Sequence, residues 1–464
     1  MKTVLFQPRY PHGKSQVYLP GGLMNLGSRL IRAGIEVSFF DLNLTVLDSV
    51  EVCTDLVQSD IIGFSVLGHP YIPIVIENIK MFRARGFSQR VLVGGEGVVR
   101  LQTVDFLRWF GVLGDVVQIK NIKAEPNHGI VEDADLRHAL GISELASQFE
   151  TSMTPMLKRL PEPTRRAYLT SEFSLFLSNG CKFPCEFCSA DKNRTEQYRT
   201  IDSVRDEIEY ICWYFKSIEH TELRIYLSNL DAFQNPKQLE PRLKAIADVC
   251  RMYHITPHVR CLATSRCTFQ AVDTDRGLPK RLHSFGLRVV AFGADGADEE
   301  TWKREGKLHN KLSEINDVVL MMQRAGILVE LLMVIGFQKD KLKALWHDIC
   351  FSFRKAREGA VIRPYLGKSR TPSAPGRWMS GQKEVEACRR NPKLLLHLDF
   401  AMIASRVSHP SLKERWLSTL TYLCIIIGLA PLGLCPTRPL MPVPQKGIGK
   451  VIAQTVNRLM PFDR

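Results

Sequence analysis

The sequence predicts an α/β chain built from two parallel-sheet segments in series and a basic, mainly helical C-terminal region. Three observations predict it. Short β-branched runs alternate with amphipathic segments over the first 120 residues, the alternation resumes at Glu172 for six more units, and the composition then changes. Strand–helix alternation makes parallel, doubly wound or barrel-like sheets, because each crossover helix returns the chain to the same end.

In the first segment the expected strands are Thr3–Phe6, Glu36–Phe40, Ile61–Val66, Val91–Val93 and Val116–Ile119. Ligands of such sheets bind outside the carboxyl ends of the strands. Those ends carry Gln7-Pro8, Asp41-Leu42-Asn43, Ser65 and the run Gly94-Gly95-Glu96-Gly97, which together read as a binding rim. Residues 121–165 are polar and turn-rich and read as a linker. The second series expects strands at Phe173–Leu177, Leu223–Leu227, Thr256–Arg260, Leu287–Phe292, Leu328–Ile335 and Val361–Tyr365. The implied organisation is a first domain over 1–125, a linker over 126–167, a six-unit β/α domain over 168–372 and a terminal region over 373–464.

Composition narrows the class. An apolar fraction of 45% and a charged fraction of 24% are those of a globular protein with a large core. Twelve cysteines in 464 residues are too sparse for a disulfide scaffold and fit a reducing cytosol. Met1-Lys2-Thr3-Val4-Leu5-Phe6 enters a strand directly and has no tripartite export signal, so a cytoplasmic location is expected. The net charge of +14 is concentrated late: residues 351–464 hold 19 Lys/Arg against 6 Asp/Glu.

The chemistry is carried by Ser178-Asn179-Gly180-Cys181-Lys182-Phe183-Pro184-Cys185-Glu186-Phe187-Cys188, directly after the first strand of the second series. Three thiolates within eight residues can converge on one metal centre. An iron–sulfur cube needs four ligands, so one iron would stay open to something other than protein. A partial zinc site, or three buried cysteines on a loop, are the other readings of the same spacing.

With Phe187 before the third cysteine, this loop resembles that of the radical S-adenosylmethionine superfamily. The resemblance implies a 4Fe-4S cluster on Cys181, Cys185 and Cys188, S-adenosylmethionine chelated at the open iron, and a 5′-deoxyadenosyl radical made by reductive cleavage. It also implies a partial (β/α)6 barrel, with the loop at the carboxyl end where barrels place their chemistry, and an electron donor such as flavodoxin or ferredoxin. Lys182 departs from the proline that relatives often carry, and proline comes at Pro184 instead.

Later strand ends match the superfamily in altered form. Phe292-Gly293-Ala294-Asp295-Gly296 and Lys307 stand where relatives show Gly-Ile-Glu-Ser-Gly and a lysine, implying Asp295 beside the nucleoside ribose; a solvated turn acid is the other reading. Ile335-Gly336-Phe337 implies backbone approach to adenine at Gly336, with Gln338 replacing a proline. Ser228, Asn229 and Asp231 fall where the superfamily contacts the methionine amino group or substrate, without its Gly-Gly-Glu. Asp231 and Arg260 are the catalytic candidates on these strands, Arg260 as a carboxylate clamp inside the barrel or as a strand-end charge. Arg363 to Pro372 resembles a barrel-closing turn that faces substrate.

The first segment is similar to the Rossmann-like cobalamin-binding domain that precedes many such barrels, through Pro20-Gly21-Gly22, Gly34 to Asp41, Asp60 to Ser65 and Val93-Gly94-Gly95. That implies cobalamin held by Ser65, Gly94, Gly95 and Gly97, without a histidine from Asp-x-His-x-Gly, or a domain that has lost the cofactor. Methylthiotransferases carry three cysteines in this domain, and here there is only Cys53.

From Trp416 to Cys435 there are twenty residues without a charge, interrupted by Gly428, Pro431 and Gly433. A buried core helix and a membrane-surface hairpin both accommodate them, the second with basic flanks drawn to the inner face of the membrane. Cys424 or Cys435 could donate a hydrogen atom to a substrate radical. The function expected is activation of an unreactive C–H bond of a small-molecule, natural-product or lipophilic substrate, cobalamin-assisted, as methylation or related C–C chemistry. The alternatives are a cobalamin-independent cyclase, epimerase or dehydratase, and an RNA-modifying enzyme. The basic tail lacks the interleaved aromatics of a nucleic-acid surface, which argues against RNA.

Overall fold

A computed structural model of the chain describes residues 1–10, 18–68, 71–99, 101–120, 134–183, 185, 196–335, 342–366 and 412–429. It divides into two compact units, Met1–Phe173 with Asp202–Ile211, and Ser174–Ile201 with the described residues from Cys212 onward.

In the first unit, β1 (Lys2–Gln7), α1 (Gly21–Arg32), β2 (Glu36–Asp41), α2 (Val50–Gln58), β3 (Ile61–Ser65), α3 (Ile72–Ala84), β4 (Arg90–Gly94), α4 (Glu96–Val99), α5 (Thr103–Phe110) and β5 (Val116–Gln118) alternate. The sheet order is β2-β1-β3-β4-β5 and every pairing is parallel. Such an order reverses direction between β1 and β3, leaving a crevice at their carboxyl ends. All six residues of β1 are buried, as the alternation-free run Val4-Leu5-Phe6 requires of a strand covered on both faces. Phe6 stacks on Phe64 at 5.3 Å and lies 5.5 Å from Phe82, tying two strands to α3. Each such ring stabilises the core by roughly 1.5–3 kcal/mol. The Ser49 side chain caps α2 by accepting from Val52 N.

The segment read as a linker is not one throughout. It contains α6 (Ala134–Leu140), α7 (Thr154–Arg159) and α8 (Glu162–Leu169), which fold with the first unit. Pro155 and Pro163 occupy the first turns of the last two, where a missing N–H costs nothing. Met156 and Leu157 are buried, and a Cβ at Gly27 of α1 would stand 2.7 Å from the Met156 sulfur. Polar turns hid these short apolar stripes.

The second unit holds β6 (Phe173–Phe176), β7 (Ser178–Asn179), β8 (Gln197–Tyr198), α9 (Ile201–Ser217), β9 (Glu222–Ser228), α10 (Pro236–Met252), β10 (Thr256–Ala263), α11 (Ser265–Thr274), α12 (Leu278–Ser284), β11 (Leu287–Gly293), α13 (Glu299–Arg304), α14 (Leu312–Arg324), β12 (Leu328–Ile335), α15 (Leu342–Arg357) and β13 (Val361–Leu366). The first residue of β6 and the residues 202–211 of α9 cluster with the first unit. Six strands run in the order β13-β12-β11-β10-β9-β6, the β/α series the sequence predicts. β10 continues three residues past Arg260, with a register shift between Val259 and Arg260.

The terminal helix α16 (Leu412–Leu429) packs on α15 and β13. Ser418, Thr421, Ile425 and Leu429, spaced three or four apart, are its buried stripe, whereas Leu420 is exposed. A Cβ at Gly428 would stand 2.3 Å from the Phe353 ring, so the glycine that interrupts the apolar run is a packing contact. Among the described residues no helix is long and apolar enough to cross a membrane. Over these residues one stripe of the uncharged stretch is packed inside the fold, while Leu420 and Cys424 are exposed.

Candidate functional site

The cysteine loop leaves the sheet through a short clamp. β7 and β8 pair antiparallel, Ser178 with Tyr198 and Asn179 with Gln197, so both ends of the loop are held together. Gly180 turns the chain with φ +108, a backbone that only glycine adopts without strain, and its N–H is accepted by Asn179 Oδ1 at 2.9 Å. Cys181 is half-buried and Cys185 is buried, and neither is in a disulfide. Cys188 and Phe187 lie outside the described residues, as do Gly336 and Cys435. Among the described residues no three His, Cys, Asp or Glu side chains gather as a metal site.

A polar chain braces the start of the loop. Glu196 accepts from Ser178 Oγ at 2.9 Å and from Gln234 Nε2 at 3.0 Å, and Gln234 Oε1 accepts from Lys182 N at 2.8 Å. Burial raises the Glu196 carboxyl above its ordinary range, opposed by bonds from Tyr198, Ser178 and Gln234. On the loop itself, Phe183 stacks against His309, ring centroids 3.8 Å apart. Burial, then Lys307 and Lys182, pushes His309 down to about 3, so its imidazole is neutral. Sequence reasoning missed Glu196, Gln234 and His309, because none belongs to a spacing motif; each acts by position in the fold.

The strand-end candidates have partners of their own. Asp231 is fully enclosed and accepts from Thr264 Oγ1 at 2.7 Å, Thr264 N at 3.1 Å and Phe233 N at 3.2 Å. Burial raises its pKa. This geometry makes it a tether between the end of β9 and the start of α11. Asn229 is likewise buried, its side-chain amide lying against Leu227 O and Ala232 N. Asp295 is buried at φ +49 and ion-paired with Lys307, while Trp302 Nε1 donates to its carbonyl at 2.9 Å. It is not the solvated turn acid, and its carboxylate is engaged by the lysine that the sequence pattern sets beside it.

Three solved structures have this architecture. TsrM, a radical S-adenosylmethionine methyltransferase from Kitasatospora setae with cobalamin and a [4Fe-4S] cluster bound, matches with a TM-score of 0.56 at 16% identity, over 83% of this chain and 78% of that one. The same enzyme with tryptophan substrate and a SAM analogue bound matches at TM-score 0.59 and 16% identity, over 83% and 76%. The cobalamin-dependent radical enzyme OxsB, with aqua-cobalamin and S-adenosylmethionine bound, matches at TM-score 0.60 and 12% identity, over 99% and 75%. The chain has the fold of the cobalamin-dependent radical S-adenosylmethionine enzymes. No family model and no curated protein matches its sequence.

Arg260 lies inside β10, three residues short of its end, and its side chain is partly buried. Its guanidinium holds Glu330 of β12 at 2.9 Å, and Arg363 of β13 takes the other carboxylate oxygen at 2.6 Å. The side chain of Arg260 also lies over the Tyr226 ring at 5.5 Å.

At the carboxyl rim of the first unit, the glycines have a packing reason. Gly95 has φ +97, and a Cβ there would stand 2.7 Å from Val66 O; one at Gly97 would meet Gly68 backbone at 2.7 Å. Val66 N donates to Gly94 O and Gly97 N to Val66 O, both at 2.8 Å. These glycines therefore let β4 and α4 close on the end of β3. Ser65 and Gly94 end their strands half-buried. Gln7, fully buried at the end of β1, has an Oε1 with no partner among the described residues. Tyr10 and Tyr71 meet edge-on at 6.4 Å, and burial pushes the Tyr10 hydroxyl up to about 12.

Proposed function

We propose that the chain is a radical S-adenosylmethionine enzyme, cobalamin-assisted, that activates an unreactive C–H bond of a small-molecule substrate for methylation or related C–C chemistry. One observation carries the reading: Cys181 and Cys185 sit on a clamped, braced loop directly after the first strand of a six-stranded parallel sheet, in a chain with the fold of TsrM and OxsB.

The residues fit the cluster. Soft thiols in a three-then-two spacing suit iron and sulfide, and neither described cysteine is tied up in a disulfide. Cys181, Cys185 and Cys188 would hold it. When bound it supplies the electron that cleaves S-adenosylmethionine, itself taken from a flavodoxin or ferredoxin. The protein's own work is to fix the loop, through Glu196 and Gln234, and to shape the strand ends around it.

The first unit fits cobalamin at the crevice between β1 and β3. Gln7, with its unsatisfied buried oxygen, Ser65 and Tyr71 are the residues there that would meet it. The packing of Gly95 and Gly97 on Val66 and Gly68 favours a second reading, in which the domain is structural and the reaction is a cobalamin-independent cyclisation, epimerisation or dehydration.

The test is anaerobic reconstitution with iron, sulfide and cobalamin, then dithionite and S-adenosylmethionine. About four irons per chain and 5′-deoxyadenosine are expected, and both are lost in Cys181→Ala and Cys185→Ala. Deoxyadenosine formation that survives loss of all three cysteines refutes the reading. Iron uptake without corrinoid binding selects the second one.

A further inference from the structure

The run from Lys307 to Asn310 is fastened at both ends to the loop after β11. Lys307 Nζ donates to Gly293 O at 2.5 Å and pairs with Asp295, while Asn310 Nδ2 donates to Ala294 O at 2.9 Å and Gly293 O at 3.2 Å. A bond from Asn310 N to Lys307 O at 3.2 Å closes the turn between them. From this locked turn His309 lays its ring on Phe183 with an interplanar angle of 18°, and Lys182 Nζ stands 5.3 Å from the same Phe183 ring. Phe183 lies midway between Cys181 and Cys185.

The stack explains why an aromatic ring is there but not why it is an imidazole. Phenylalanine would stack as well and would bring no polar atom. His309 Nε2 is buried and has no hydrogen-bond partner among the described residues. An unpaired buried nitrogen is a net cost to the fold, removed if a partner arrives with a bound group.

We propose that His309 is a positioning residue for the cysteine loop: its ring fixes the Cys181–Cys185 half through Phe183, and its Nε2 donates a hydrogen bond to the sulfur-rich centre that the loop holds. The inference rests on the proposed cluster and adds to it a residue outside the cysteine motif. Partners that orient metal ligands typically change metal retention, and hydrogen bonds to sulfur raise a cluster's reduction potential.

The test compares wild-type protein, His309→Phe and His309→Ala after anaerobic reconstitution with iron and sulfide. Iron content, the rate of iron loss to a ferrous chelator and the midpoint potential by electron paramagnetic resonance titration are read, with circular dichroism as the check of folding. His309→Ala should lose iron about tenfold faster or more. His309→Phe, which keeps the stack, should lose iron at the wild-type rate but titrate at a lower potential. Phe183→Ala should reproduce the fast loss. Wild-type loss rates in His309→Ala overturn the positioning role, and an unchanged potential in His309→Phe overturns the hydrogen bond. A wild-type chain that takes up no iron overturns the cluster reading itself, so the two failures are distinguishable.

Discussion

Arg363 holds the buried carboxylate of Glu330 at 2.6 Å across the β12–β13 pair, and Arg260 takes the same group from β10, on the far side of β11. Two guanidiniums around one carboxylate make Glu330 the member whose loss leaves like charges together. Glu330→Ala should therefore destabilise the second unit more than Arg260→Ala does. Breaking a buried pair costs about 3–5 kcal/mol, reduced here to roughly 2–3 because the arginine side chains keep 24% and 22% exposure. Urea unfolding of the two variants checks the order; equal midpoints would count against it.

Tyr168 donates to Asp41 at 2.6 Å, and Asn43 supplies two more bonds, from its N–H at 2.8 Å and its amide at 2.6 Å. Burial nevertheless outweighs these donors and raises the Asp41 carboxyl above its ordinary value. An acid with a raised folded pKa binds more protons folded than unfolded, so it contributes a loss of stability as pH rises from the ordinary carboxylate value through the raised one. Asp41→Asn should remove that part of the decline and leave a flatter curve of urea midpoint against pH. Tyr168→Phe should act oppositely, costing about 1–2 kcal/mol at neutral pH.

Gly95 and Gly34 both adopt positive φ, at +97 and +78, but only Gly95 has backbone where a side chain would go. Gly34→Ala should cost about 1 kcal/mol, the conformational term alone. Gly95→Ala should cost clearly more, since Val66 must move. Thermal melts of the pair separate strain from collision.

In the terminal helix, Ile425→Ala should cost about 2–4 kcal/mol, because Ile425 is fully buried. Leu420→Ala, on the exposed side, should be within about 0.5 kcal/mol of wild type. A large Leu420 effect would mean that this face is covered.

Strand–helix alternation was legible because strands such as β1, β3, β4 and β12 are covered on two faces and so read as compact apolar runs. The cysteine loop was legible because its chemistry is local in sequence. From sequence, the third strand of the second series is expected to end at Arg260; pairing with β11 carries β10 on to Ala263. Glu196, Gln234 and His309 had no sequence signal, since their meaning comes from neighbours up to 126 residues away, as Phe183 and His309 are. Gly95 was recognised as special, but one sequence does not say whether a missing Cβ makes room for a ligand or for Val66.

The tie between Asp41 and Tyr168 spans 127 residues, and Glu207 accepts from Met153 N at 2.8 Å within the same unit. The first sheet is complete in sequence by Gln118, yet its sealing groups are translated much later. On the ribosome, the end of β2 stays uncapped until Tyr168 is made, and Glu207 follows only after the cysteine loop. The first unit cannot finish before the second has begun, and the order of synthesis couples the two.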